Sequence, residues 1–129
     1  MYCMVLYFCL SLQHQLINKK AMNVNNMKSQ LRKGILEYCI LLILNSRKAY
    51  ANDIIQLLQE ARLIVVDGTL YPLLTRLKNM NLLNYQWIES NQGPPRKYYE
   101  VTSEGKAFLV EMEQAWGEVV GTINQLKEI

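Results

Sequence analysis

A chain of 129 residues is long enough for one domain with one modest hydrophobic core. Half of its residues are hydrophobic, which excludes disorder throughout. The net charge of +3 is small but unevenly spread: residues 27–99 carry ten Lys/Arg against five Asp/Glu, and residues 100–129 carry two Lys against six Glu. A basic body with an acidic tail points to a polyanionic partner for the body alone. By itself, the same charge also fits an ordinary solvated surface.

The three cysteines, Cys3, Cys9 and Cys39, form no CxxC and have no metal-ligand spacing. Neither a metal site nor a disulfide framework is expected, and a reducing cytoplasm follows as the default location. The only histidine, His14, lies in the N-terminal leader, so the folded body lacks the Ser-His-Asp or Cys-His set of a covalent catalyst. With no phosphate-cradling Gly loop either, the chain is read as a non-enzyme without catalytic residues or a cofactor.

Residues 1–26 differ from the rest. MYCMVLYFCLSL is an apolar run too short to span a bilayer, which needs about 20 apolar residues. It lacks the basic stretch and small-residue cleavage site of a signal peptide. No membrane partner is expected. The segment is read as an N-terminal extension, non-native or weakly structured, with Met22 and Met27 as later starts; if made, it forms a loosely attached helix or strand.

From Lys28 the pattern sharpens. Leu31, Ile35, Tyr38, Cys39, Leu42 and Ile43 recur at helical spacing over residues 29–45, with Ser29 as N-cap. Lys28, Arg32 and Lys33 cluster at the start of this helix, within reach of phosphates. Asn45-Ser46-Arg47-Lys48 makes a turn. A second helix spans residues 51–61, with Ile54, Leu57 and Leu58 inward and Asn52 or Asp53 as cap. Residues 63–66 are too short to classify, and Asp67-Gly68 marks a break.

The third helix spans residues 69–79. Leu70, Leu73, Leu74 and Leu77 face inward, leaving Tyr71, Thr75, Arg76, Lys78 and Asn79 mostly on the other side. Pro72 is tolerated if it falls in the first turn, where its missing N–H has no helical partner to lose. Asn81 is a natural terminator. Leu83, Tyr85 and Trp87 then alternate with polar residues, as do Tyr99 and Val101 with Tyr98 and Glu100, giving two strands around a Gly93-Pro94-Pro95 turn with Arg96-Lys97 at its exit. On this pattern Trp87 is a core residue. Thr102 or Ser103 caps a long last helix, with Glu104 in its first turn. Leu109, Met112, Trp116, Val119, Ile123 and Leu126 follow at steps of 3 and 4, a heptad seam that one small domain cannot cover alone and that predicts a homodimer interface.

Three helices and a hairpin in this order make a winged helix-turn-helix: a mainly α fold with a small β-hairpin and a C-terminal dimerisation helix. The expected organisation is an N-terminal extension over 1–26, a DNA-binding domain over 27–101 and a dimerisation helix over 102–129. The segments DGTLYPLLTRLKNMNLL and GPPRKYYEVTSEG are close to the pattern of the recognition helix and wing of PadR regulators. Over residues 27–129 the sequence resembles the PadR family of bacterial transcriptional regulators, in its short subgroup with a single C-terminal helix. The resemblance implies a homodimer that binds a pseudo-palindromic operator in double-stranded DNA, usually as a repressor of adjacent genes. It also implies that the third helix enters the major groove and that the wing lies on backbone or minor groove. Some members answer to small aromatic or cationic molecules, and one multidrug-binding member stacks planar ligands on a Trp in its last helix; Trp116 falls at a similar place.

The residues expected to meet DNA are Thr69, Tyr71, Pro72, Thr75, Arg76 and Lys78 of the third helix, with Arg96, Lys97 and Tyr98 of the wing. Arg76 is the candidate for bidentate reading of guanine, Tyr71 for a phosphate, and Arg96 and Lys97 for backbone. Arg76 has a plainer alternative as one half of a surface ion pair, Tyr98 as packing beneath the wing, and Trp116 as simple dimer core. A winged-helix module that binds protein in place of DNA is the alternative function.

Overall fold

The structure, a computed structural model, describes residues 2–63 and 65–129, without the side chains of Tyr2, Cys3 and residues 17–23. Among the described residues, four helices and one hairpin follow in the order α1 (Tyr2–Ser46), α2 (Ala51–Glu60), α3 (Asp67–Asn79), β1 (Leu83–Ser90), β2 (Gly93–Val101) and α4 (Ser103–Lys127). The chain divides into two compact units, Met1–Ile35 and Leu36–Ile129.

The first unit is helical, with Met4, Val5, Leu6, Tyr7, Phe8 and Leu10 among its exposed side chains. The helix expected to begin at Ser29 therefore begins at Tyr2. No Gly or Pro precedes Gly34, so nothing in the sequence stops it earlier. Among the described residues, no helix is long and apolar enough to cross a membrane.

The second unit holds the hydrophobic core. Leu36, Ile40, Leu41 and Leu44 of α1 meet Ile54 and Leu58 of α2, Leu70, Leu74 and Leu77 of α3, then Leu82, Leu83, Tyr99 and Leu109. The inward set expected for α1 is met only in part: Tyr38, Cys39 and Ile43 pack partly buried against the core, but Leu31 and Leu42 are exposed while Leu36, Ile40 and Leu41 are buried. The run from Cys39 to Leu44 is apolar at every position, so its period carries no phase. In α2 and α3 the inward residues are those that the spacing predicts, with Leu57 and Leu73 half-buried.

Both short helices end in the same way. At the end of α2, Leu63 N–H donates to Leu58 O at 2.7 Å and Arg62 N–H to Gln59 O at 2.9 Å. At the end of α3, Leu82 N–H donates to Leu77 O at 3.0 Å and Asn81 N–H to Lys78 O at 2.9 Å. Each is a Schellman closure, in which one residue takes left-handed backbone. Asn81 does so at φ 61°, as its residue type predicts, and Arg62 does so at φ 63°. Between these helices Val65 is buried and Val66 exposed; Ile64, part of the unclassified stretch, lies outside the described residues.

Two expectations about local chemistry change. Helix α2 is preceded by Tyr50, with no side-chain cap from Asn52 or Asp53. Helix α3 starts at Asp67, two residues early, because Thr69 and Leu70 N–H both reach Val66 O, at 3.0 and 3.1 Å. Pro72 thus sits in the second turn, where its missing N–H leaves the exposed Gly68 carbonyl to water.

The hairpin is antiparallel, with Tyr85 opposite Tyr99, Trp87 opposite Lys97 and Ile88 opposite Arg96. Its turn is Asn91-Gln92, closed by Gln92 N–H to Ser90 Oγ at 3.3 Å; Gly93, Pro94 and Pro95 belong to β2. Pro94 and Pro95 fall at the register shift between the Ile88–Arg96 and Ser90–Gly93 pairs, where prolines remove no ladder bond. The edge of β2 away from β1 is partly covered by Ala49, which exchanges both backbone bonds with Tyr99 at 3.3 and 2.8 Å. Beside it Lys48 pairs with Glu100 at 3.3 Å.

Helix α4 is fixed at its start. Thr102 is the N-cap: its hydroxyl accepts from Gly105 N–H at 2.9 Å and donates to Asn81 O at 2.6 Å, while its own N–H reaches Leu82 O at 3.1 Å. Gly105 is buried against Leu82, and Leu109 is buried in the core.

Candidate nucleic-acid interface

The outward face of α3 and the inner face of the wing enclose a cleft of about 420 Å³. Helix α3 places Tyr71 and Thr75 on it, one turn apart, because Leu70, Leu74 and Leu77 hold the opposite side in the core. The wing supplies Trp87, Arg96, Lys97 and Tyr99, and the start of α2 supplies Tyr50 and Asn52. Among the described residues, no carboxylate lines this space.

The cations are held by aromatic faces. Lys97 Nζ lies 4.0 Å from the Tyr85 ring centre and 5.5 Å from that of Trp87. Lys78 Nζ, from α3, lies 4.6 Å from the same Tyr85 ring. The Arg96 guanidinium lies 4.7 Å from the Tyr50 ring, which also packs on Tyr98 at 5.5 Å. Such contacts contribute about 0.5–1 kcal/mol each at exposed sites, enough to bias a rotamer without neutralising the charge.

The sequence-derived candidates fall into distinct places. Tyr71, Thr75, Arg96 and Lys97 come together in the cleft. Pro72 and Arg76 join Tyr71, Thr75, Asn79 and Met80 along the exposed surface of α3, and Thr69 is exposed in its first turn. Lys78 and Tyr98 are drawn to Tyr85 and Tyr50. Thr75 Oγ donates to Tyr71 O at 3.0 Å, which leaves its lone pairs free. Arg76 is engaged within the chain: its Nη1 meets Glu37 Oε1 of α1 at 3.0 Å, the ion pair weighed as the plainer reading. Lys28, Arg32 and Lys33 are exposed in the first unit.

Trp87 is not core. It is 63% exposed, because the strand outruns the small core after Leu83 and Tyr85 while keeping its alternation. Tyr50 escaped the sequence reading, since a residue between two helices reads as a connector, and Asn52 was expected only as a cap for α2. Burial of Tyr99 pushes its phenol above the ordinary range, and the neighbouring Tyr71 and Tyr85 add to this. Burial likewise pushes the Cys39 thiol up.

A model of the transcriptional regulator PadR-like family matches residues 40–111, more than half of the chain. The chain belongs to the PadR-like family. A PadR-like transcription factor from Bacteroides fragilis is 64% identical, over 78% of this chain and 98% of its own, with a TM-score of 0.68. A PadR-like regulator from Bacillus cereus is 38% identical over 75% of this chain and 95% of its own, with a TM-score of 0.67. A PadR family regulator from Eggerthella lenta is 33% identical over 80% and 90%, with a TM-score of 0.75. This PadR-like protein is a transcriptional regulator and not an enzyme, and its fold is the winged helix-turn-helix.

Proposed function

We propose that this PadR-like regulator is a cytoplasmic homodimer that binds a pseudo-palindromic operator and represses adjacent genes. The observation that carries the reading is the carboxylate-free cleft between α3 and the wing, with Arg96 and Lys97 on its wall and the Tyr71–Thr75 face beside it. Helix α3 lies in the major groove, and the wing lies on backbone or minor groove. Arg76 leaves Glu37 to read a base edge, and the lysines and Arg96 meet phosphates.

Pairing is supported by α4. Trp116, Val119, Ile123 and Leu126 stay exposed along one stripe, and Met112 is half-buried. Leu109 lies in the chain's own core, so the seam begins at Met112. Two Trp116 indoles near a two-fold axis leave a slot for a planar aromatic or cationic effector.

The test is binding to duplex DNA from beside the gene, at several salt concentrations. A salt-sensitive preference for a palindromic site with half-sites about one helical turn apart is expected. Arg76→Ala relaxes specificity, while Lys97→Ala weakens all sequences alike and lowers the salt slope. A purified dimer that binds such DNA no better than random duplex overturns the reading.

A further inference from the structure

We propose that the cleft grips one DNA strand by its sugar–phosphate backbone, with a deoxyribose packed on the Trp87 indole and the adjoining phosphate held by Lys97. This rests on the DNA-binding reading above and names a residue and a strand feature that the reading does not contain. Trp87 lies outside the hydrophobic core. It lies 63% exposed on the hairpin, and its cross-strand neighbour is Lys97, not an apolar side chain. It shares one concavity with Tyr50 and Tyr71, and concavities lined by aromatic side chains with a few placed polar groups are where ligands sit.

The indole is also held in place. Tyr85 meets it edge-on, with ring centres 6.5 Å apart at 88°, and the Lys97 ammonium stands 5.5 Å from its centre. Trp87 and Lys97 line the same cleft as Tyr71 and Thr75 of α3, so an apolar plate, a cation and hydroxyls face one space. One nucleotide of a backbone presents the matching surfaces, an apolar sugar face beside an anionic phosphate. The cleft, about 420 Å³, is large enough for such a unit and opens to solvent, so that a strand passes through it.

A neutral indole adds contact area but releases no counterion, which separates its effect from that of Lys97. The experiment uses the full chain and a random-sequence duplex of about 30 base pairs, long enough for two half-sites. Affinity is read by anisotropy over a salt series, and tryptophan emission is read in parallel. Trp87→Ala is expected to weaken binding by about 10- to 100-fold at every salt concentration, with the salt slope unchanged. Trp87→Phe loses less. The wild-type emission changes in step with binding, and Trp87→Phe, left with Trp116 alone, loses most of that change. Equal binding by wild type and both variants overturns the inference while leaving the DNA reading intact, as does an unmoved Trp87 signal. Tighter binding to a single-stranded oligonucleotide than to duplex overturns it in favour of base stacking. Absence of wild-type binding both to this duplex and to DNA from beside the gene removes both.

Discussion

Replacing Gly105 by alanine tests how α4 is joined to the rest of the unit. A Cβ on Gly105 would run into the Leu82 carbonyl oxygen, and would stand 2.6 Å from Val101 Cγ1 and 3.2 Å from Leu82 C. Overpacking of this kind costs about 1–3 kcal/mol, and backbone atoms yield less readily than side-chain tips. The Leu82 carbonyl also accepts from Thr102 N–H at 3.1 Å, so moving it weakens a bond that contributes about 1 kcal/mol. Alanine returns up to about 1 kcal/mol through helix propensity. The net is a loss of about 2 kcal/mol, or roughly 8–16 °C in Tm for a unit of this size. Gly34→Ala is the control: it lies in α1 with nothing within 4 Å of a new Cβ, so it gains up to about 1 kcal/mol. Thermal and denaturant melts followed by far-ultraviolet circular dichroism read both variants. If Gly105→Ala is neutral or stabilising, the close approach of α4 to Leu82 is wrong.

Three other outcomes follow from local features. Arg62→Gly relieves left-handed backbone at the end of α2 and stabilises by about 0.5–1 kcal/mol in a denaturant melt; a loss of stability shows that the Arg62 side chain has partners of its own. Glu37→Gln frees Arg76, whose side chain is 66% exposed, and changes stability by less than about 1 kcal/mol. It is expected to tighten duplex binding and steepen the salt dependence, whereas weaker binding makes Glu37 a positioning residue. Hydrogen bonds from its own backbone N–H and the Ser103 hydroxyl hold the Glu104 carboxyl below its ordinary value. A depressed folded-state pKa gives stability that is present above the unfolded value and lost as pH falls through the folded one. Glu104→Gln should therefore flatten the acid limb of a stability profile while leaving the neutral limb in place, and an unchanged acid limb refutes the assignment.

The positions of α2, α3, the hairpin and α4 were legible because their apolar residues alternate with polar ones and so define a face. Leu70, Leu74 and Leu77 went where the period placed them. The phase of α1 was not legible, since EYCILLIL offers no polar residue to mark an outside. Asn81 announced its left-handed turn by residue type; Arg62, in the same geometry, did not. The strand period placed Trp87 on the inner face correctly but could not show where the core stops. The cleft was the least legible feature. Tyr71 and Lys97 stood out by type, but Tyr50 acquires its role only when Ala49 pairs with Tyr99 and brings the start of α2 against β2.

The Thr102 junction has a mechanical consequence. Its hydroxyl bonds the Asn81 carbonyl just past the end of α3 and caps α4, so it couples the start of one helix to the end of the other. With 25 residues, α4 is about 37 Å long. A tilt of about 5° about one end shifts the other by about 3 Å, close to the rise of one base pair. In the proposed dimer, small changes in how two α4 helices lean on each other therefore register as a change in the distance between the two α3 helices, in steps on the scale of the DNA itself.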